Sequence, residues 1–583
     1  MGEPAVFIGT VRHLRTIGAD SVKRLPFSHA ISVFLIAALT AGPLAAQQKP
    51  AERTLPFTET VDVRVIGVDV VVTDKKGKAV TGLTKDDFQI FENGIEKPIS
   101  NFYEIEGKAA TQAVVVPVPG ATATPPPAKT EINEQLTRRI IFYIDNLSLE
   151  PFNRNRVFKQ MKEFVKNVMR PGDEAMVATY NRSLKVRVPF TQDVVQIQQT
   201  LDAIAGETGQ GIANRSEAKD VMGRINDAQT YDEAVADARQ YASSVEHDLR
   251  QSVESINGLL TTLAGVDGKK ILVLTTEGFQ MQPGRELFTL IDEVAKDKGW
   301  QSSSMLEGMS FNSGPLIESI AKTANANGIT LYAIHAGGLA AGNEGMTADN
   351  QKAISYNVTS AALSNSTESL QMLAELTGGV ATTRTNNFVG AFNNIVRDLD
   401  SYYSLGYRAG TERVDRQRAL EVRVRNKALN VRSRQTFVEK STFQEMSDRV
   451  IANLLYKTKE NILGVRVKVD SPVPVDDLFK IPVEVRIPID NLALLQQGEA
   501  YMGGFSIFVV VGNKDGDMSD VSRKSYQMTI PVGDFAKAKG KYYTYTLDLM
   551  CERGLNKISV GVVDDVSNVS GFDRQQVIAS DMR

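Results

Sequence analysis

The chain is nearly without cysteine. Cys551 stands alone among 583 residues, so no intramolecular disulfide can form and no multi-cysteine metal site exists. Histidine is almost as scarce, with four in all, two of them (His13 and His29) close to the N-terminus. A Ser-His-Asp arrangement would have to recruit His247 or His335. No His-Glu-x-x-His, phosphate loop or nucleophile elbow occurs. A strong charge of either sign is missing too. The formal net charge of −3 leaves no basic excess for nucleic acid. Long apolar runs are absent as well. The one candidate, Ala30 to Ala41, is about twelve residues, short of the roughly twenty needed to span a bilayer.

That run has a different reading. Arg12, Arg15, Lys23 and Arg24 precede it, and Pro43-Leu44-Ala45-Ala46 follows with small residues. Residues 1–46 thus read as a signal peptide, implying export to the periplasm, the cell surface or the medium, with no transmembrane span in the mature chain. An uncleaved anchor is the alternative. The length predicts two to four domains.

The most informative stretch is Arg138 to Glu150. Five consecutive apolar residues, Ile140 to Ile144, end at a carboxylate, Asp145. Such a run predicts a strand buried on both faces, as in parallel sheets covered by helices. Ligands bind at the C-terminal edge of these strands. Val157, Met161, Phe164, Val165 and Val168 predict a helix, and Pro171-Gly172-Asp173 precedes a second strand at Ala175–Tyr180.

Alternation over residues 55–107 predicts an N-terminal β module of Ig-like sandwich type. The Ala-, Pro- and Thr-rich segment 108–134 predicts an extended linker. An α/β domain is expected over 135–400, with strands near 139–144, 174–180, 184–190, 270–275, 329–334 and 380. Within it, 214–264 is helical throughout and is expected to break near Asp227–Asp232. This insertion is either an arm on the ligand edge or a covering helix. Residues 401–440 return to β alternation and are expected to pack on the first module. Residues 441–583 predict a second, C-terminal β-sandwich.

Strand–Asp–helix–"RPGDEAMVATYN"–strand resembles a von Willebrand factor A (VWA) domain. With "VVVTDKKGKAVTGLTKDDFQIFENGIEKPISNF" before it and "LDSYYSLGYRAGTERVDRQRALEVRVRNKALNVRSRQTF" after it, the chain resembles the VWFA-related family of acidobacterial secreted proteins. The resemblance implies a Rossmann-type, mostly parallel sheet flanked by helices. It also implies a Mg²⁺ or Mn²⁺ site on an Asp-x-Ser-x-Ser loop, completed by a Thr and an Asp from other loops. Asp145 matches the first position. Leu147 and Leu149 occupy the Ser positions and supply no oxygen, while Ser148, one place out of register, is the remaining candidate ligand on this loop. Thr276-Glu277-Gly278 stands where Thr-Asp-Gly is expected, making Glu277 a candidate ligand, and Thr208 is the candidate on the Thr loop. Hard cations take about six oxygens, so the site is degenerate. Asp145 has a second reading, as a cap on the following helix.

Asn146, Trp300 and His335 are the candidate partner contacts. Trp300 is either an exposed hot spot or buried under Ser302–Gly314. That loop and Ala336–Asp349 are expected to frame the binding face. Asn513–Asp520 and Asp564-Asp565 bear oxygens but read as polar turns. The functional expectation is protein–protein interaction or adhesion without catalysis. A hydrolase centred on His335 and an inert scaffold are the alternatives.

Overall fold

The computed structural model describes residues 5–7, 65–106, 137–339, 354–408, 414–458 and 460–580. The linker 108–134 and the tip of the Ala336–Asp349 loop lie outside these residues. So does the leader, apart from a short strand β1 (Ala5–Phe7) set parallel to Leu547–Leu549.

Strands β2 (Val65–Thr73), β3 (Phe88–Glu92), β4 (Ile95–Lys97) and β5 (Ile99–Glu106) open the first module. The α/β domain follows with β6 (Arg138–Asp145), α1 (Pro151–Val168), β7 (Glu174–Tyr180), β8 (Leu184–Thr191) and α2 (Val194–Ala205). Next come α3 (Gly211–Asp227), α4 (Tyr231–Thr262), β9 (Lys269–Thr276), α5 (Arg285–Lys298), α6 (Ser304–Met309) and α7 (Gly314–Ala326). Strand β10 (Ile329–His335), α8 (Tyr356–Thr377), β11 (Ala381–Thr382) and α9 (Phe388–Asp400) complete it.

The central sheet has the order β11-β10-β9-β6-β7-β8. All pairs are parallel except β7 with β8. From β6 the chain proceeds to β7 on one side and later to β9 on the other, so the order reverses at β6. That reversal opens a crevice beyond the strand ends, where α/β sheets bind ligands. Asp145 is the last residue of β6 and stands at this switch point.

Alternation along each strand divides the core. Ile140, Phe142, Ile144, Ile271 and Val273 face α1, α2 and α9, while Ile141, Tyr143, Leu272 and Leu274 face α4, α7 and α8. Helix α4 is capped by Thr230, whose side chain accepts from Glu233 N–H, and its first turn is acidic, which suits the positive end of the dipole. Its 32 residues extend ~48 Å. Leu249 to Leu260 on α4 cover the sheet, whereas Ala234 to Ala242 belong to a separate cluster with Val221 and Ile225 of α3 and Leu287, Phe288, Ile291 and Val294 of α5. The insertion is thus partly covering helix and partly a helical cap, turning at Ala228–Thr230. The expected loop Ser302–Gly314 contains α6, which packs on α5 through Gly308 against Phe288.

After the sheet, β12 (Ser401–Arg408), β13 (Gln417–Val424), β14 (Asn430–Arg432) and β15 (Thr436–Val438) return to the first module. They form two four-stranded sheets, β14-β2-β12-β5 and β15-β13-β3-β4, around one core. Arg418 is buried between Glu92 at 2.8 Å and Glu439 at 2.9 Å.

The C-terminal region begins with a helix, α10 (Thr442–Tyr456), and not with β structure. Met446, Val450 and Leu454 recur at helical spacing and pack on Phe508 and Val510. Beyond it, β16 (Arg466–Val469), β17 (Val473–Val475), β18 (Leu478–Pro488) and β22 (Tyr542–Cys551) form one sheet with β1. The facing sheet holds β19 (Leu495–Gln497), β20 (Ala500–Asn513), β21 (Ser522–Pro531), β23 (Gly554–Asp564) and β24 (Ser570–Ala579). A short helix, α11 (Val532–Ala538), links β21 to β22. Both sheets share one apolar core, which includes the buried Cys551. Asp564 serves there as a turn cap, accepting from the Val566, Ser567 and Ala493 N–H groups. Among the described residues no helix is long and apolar enough to cross a membrane.

Candidate functional site

The turn after β6 is tight. The Asp145 carbonyl accepts from Ser148 and Leu149 N–H at 3.2 and 3.1 Å, which folds Ser148 back over the strand end. Its Oγ donates to Asp145 Oδ2 at 2.7 Å. Thr276, the last residue of β9, lies beside Asp145 and donates to the same oxygen at 2.8 Å. The two hydroxyls are 2.9 Å apart, and Ser148 Oγ also accepts from Glu277 N–H at 3.0 Å. Burial pushes the Asp145 carboxyl above its ordinary range, opposed by these hydrogen bonds. Asp145 therefore caps its own turn. The N-cap of α1 is Glu150, which corrects the helix-cap reading.

Glu277 takes the role expected of a capping acid. Its Oε1 accepts from Glu150 N–H and from Asn153 Nδ2, each at 3.0 Å, which places an anion at the N-terminus of α1. Arg215 completes this cluster, 2.7 Å from Glu150 and 4.0 Å from Glu277. Desolvation raises the Glu277 pKa. The extra methylene relative to Asp carries the carboxylate past Asp145 to the helix.

The loop between α2 and α3 closes over the turn. Gln210 N–H donates to the Asn146 carbonyl at 2.9 Å. A Cβ on Gly209 would lie 2.4 Å from the Leu149 carbonyl oxygen, and one on Gly211 2.5 Å from that of Ser148. Glycine is required at both for this approach. Thr208, on this loop, is exposed. Arg154, fully buried, ties the loop down through Asn146 Oδ1 and the Ala205 and Glu207 carbonyls. Asn146 is buried by this bond and turned inward.

A divalent cation at Asp145 would find three side-chain oxygens, from Asp145, Ser148 and Thr276, already bonded to one another. Leu147 and Leu149 are buried apolar residues. Among the described residues no group of three or more His, Cys, Asp or Glu side chains is placed to hold a metal. These donors do not fit a hard cation, which takes about six oxygens.

His335 ends β10 near the same edge. It is 5% exposed, and desolvation depresses its pKa to about 4, opposed by a hydrogen bond to the Glu277 backbone. Trp300 lies elsewhere. It is half-buried against the helical cap, with Lys298 Nζ 4.9 Å from its ring centroid.

Sequence reasoning missed the rim. Phe152 is 73% exposed, Ile212 60% and Leu339 57%. Phe152 stacks on Arg156 at 5.3 Å, and Arg156 shares Asn386 Oδ1 with Leu339 N–H. Pro151 at the start of α1 was a usable signal, since it places the next residue in an open first turn.

No protein-family model matches the chain, and no curated protein sequence does. Several solved structures are similar. An aerotolerance-related membrane protein from Bacteroides fragilis is 11% identical, covering 45% of this chain and 98% of its own, with a TM-score of 0.24. Proximal thread matrix protein 1 from the mussel byssus, with a zinc occupied MIDAS motif, is 14% identical over 46% of this chain and 48% of its own, with a TM-score of 0.21. The vWF domain of the type V pili tip protein Mfa5 from Porphyromonas gingivalis is 12% identical over 45% and 95%, with a TM-score of 0.23. The mixed α/β architecture rests on the strand order and directions given above, and the solved structures similar to this chain include a vWF domain.

Proposed function

We propose that the chain is an exported, non-catalytic interaction protein that engages a protein partner at the C-terminal edge of its central sheet, without a resident divalent cation. The observation that carries this reading is the apolar rim at the switch point. Phe152 of α1, Ile212 of α3 and Leu339 of the loop after β10 stand exposed at the edge of the sheet where the buried, self-satisfied Asp145 ends β6. Scattered apolar residues need no explanation, but a group rimmed by polar side chains at a ligand edge marks an interaction site. His335 Nδ1 has no hydrogen-bond partner, and among the described residues no carboxylate orients its ring as a hydrolytic triad requires, which supports interaction over hydrolysis.

The test is site-specific photo-crosslinking in the source organism. A crosslinker at 152, 212 or 339 should give one discrete adduct, competed by unmodified chain and lost on Ile212→Glu when the crosslinker is at 152. A crosslinker at Ile578, also exposed but on β24, should not give it. Identical adducts at 578, or none at the rim, would refute the reading.

A further inference from the structure

The rim carries a positive charge that no carboxylate among the described residues neutralises. Arg156 makes three side-chain hydrogen bonds, all to neutral acceptors. Nη1 donates to Asn386 Oδ1 at 3.0 Å, and Nη2 donates to Asn153 Oδ1 at 3.0 Å and the Ala336 carbonyl at 3.2 Å. A guanidinium has five N–H donors, so Nε–H, buried and unpartnered, and one Nη1 hydrogen remain. Among the described residues no carboxylate pairs with it.

A second cation stands nearby. Two residues before the Asn386 that Arg156 bonds, Arg384 is exposed. Helix α9 begins four residues later with no acidic residue in its first turn and no side-chain cap from Asn387, which adds partial positive charge. Beneath these groups His335 is almost wholly buried, yet its Nδ1 has no partner. The ring edge carrying Cε1 faces Gly337, where a Cβ would lie 2.8 Å away. At Gly338, with φ +72, a Cβ would lie 2.1 Å from Asn386 Oδ1. Two glycines thus keep the backbone close over the His335 ring and Asn386.

We propose that this cluster is a carboxylate-binding site. Arg156 and Arg384 take the side-chain carboxylate of an acidic residue in the partner, and Phe152 and Leu339 cover apolar residues on either side of it. The proposal rests on the interaction reading and specifies the partner's chemistry. Guanidinium–carboxylate bonds are the strong charge-assisted kind. The apolar flanks match amino-acid side chains better than an inorganic ion.

The experiment titrates the full chain, carbon-13-labelled at histidine, with acetyl-Leu-Asp-Leu-amide, its Asn counterpart and sodium phosphate. Four histidines give few imidazole signals, and His335→Gln assigns one of them. The Asp peptide should bind saturably, shift the His335 signal and raise its titration midpoint, because a neighbouring anion favours the imidazolium. The Asn peptide should bind on the order of tenfold more weakly. Arg384→Gln, at an exposed position, should show a similar loss, as should Arg156→Gln, while Arg466→Gln on β16 should not. Equal binding of both peptides, no loss in either rim variant, or a His335 shift with phosphate alone would overturn the site. Retained crosslinking at residue 152 with equivalent peptides would overturn the carboxylate site alone. Peptide binding without a crosslinked partner would overturn the interaction reading alone.

Discussion

Metal binding at Asp145 gives the sharpest test of the site geometry. A cation there would replace three hydrogen bonds, Ser148 to Asp145 at 2.7 Å, Thr276 to Asp145 at 2.8 Å and Ser148 with Thr276 at 2.9 Å. At about 1 kcal/mol net for each bond, the site starts roughly 3 kcal/mol behind an open one, or more than a hundredfold in affinity. Two further oxygens are missing at Leu147 and Leu149. Calorimetry with Mn²⁺ and Mg²⁺ on the full chain should therefore show no saturable micromolar binding. Leu147→Ser, at the less deeply buried of the two leucines, adds an oxygen and should bring binding toward measurability, whereas Leu149→Ser should mainly destabilise. Saturable micromolar binding by the unmodified chain, removed by Asp145→Ala, would refute the argument and restore a working metal site.

Three further outcomes follow from buried charge. His335 titrates near 4 in the folded chain against about 6.5 unfolded. The unfolded state therefore binds the extra proton between those values, and stability falls on acidification through that window by on the order of 3 kcal/mol; His335→Gln should flatten the fall in melting temperature between pH 6.5 and 4. Lys270 is buried with its pKa lowered to about 8 by desolvation, so its contribution improves as pH rises from 8 toward 10.5. Lys270→Met should accordingly raise the melting temperature at pH 7, and no change would sink that reading. Arg418→Met would leave Glu92 and Glu439 buried without their cation. It should cost about 3–5 kcal/mol, seen as faster amide exchange in β3, β13 and β15 ahead of the central sheet.

Parts of this architecture were legible because they depend on local pattern. The apolar run Ile140–Ile144 can only be a two-face-buried strand, and a carboxylate that ends it must stand at the sheet edge. Ser148 could be named only as an out-of-register candidate because counting register assumes an extended loop. The turn at Asp145–Leu149 is instead closed by two bonds to one carbonyl, which brings its fourth residue, Ser148, back to the first. Thr276 was passed over for Glu277 because the charged residue looked like the ligand; the parallel pairing of β6 and β9, which sets Thr276 beside Asp145, is a tertiary fact. Arg156 lies more than two hundred residues from Arg384 and Asn386, and the three carry no spacing signal. Only the fold brings them to one rim. The helix α10 hid at the start of a β-rich region because its short stripe of Met446, Val450 and Leu454 was read with the strands that follow.

The first β module has a consequence for synthesis. Its strands β2 to β5 leave the ribosome about 300 residues before β12, the strand that pairs with both β2 and β5. At roughly 5–20 residues per second, those edges wait on the order of 15–60 s for their partner, while the whole intervening α/β domain is made. Until then β2 and β5 have no sheet partner and β3 pairs only with β4, and strand edges left open that long are a template for wrong pairing. The nascent chain is thus a natural client for a holding chaperone until Ser401–Val438 arrives.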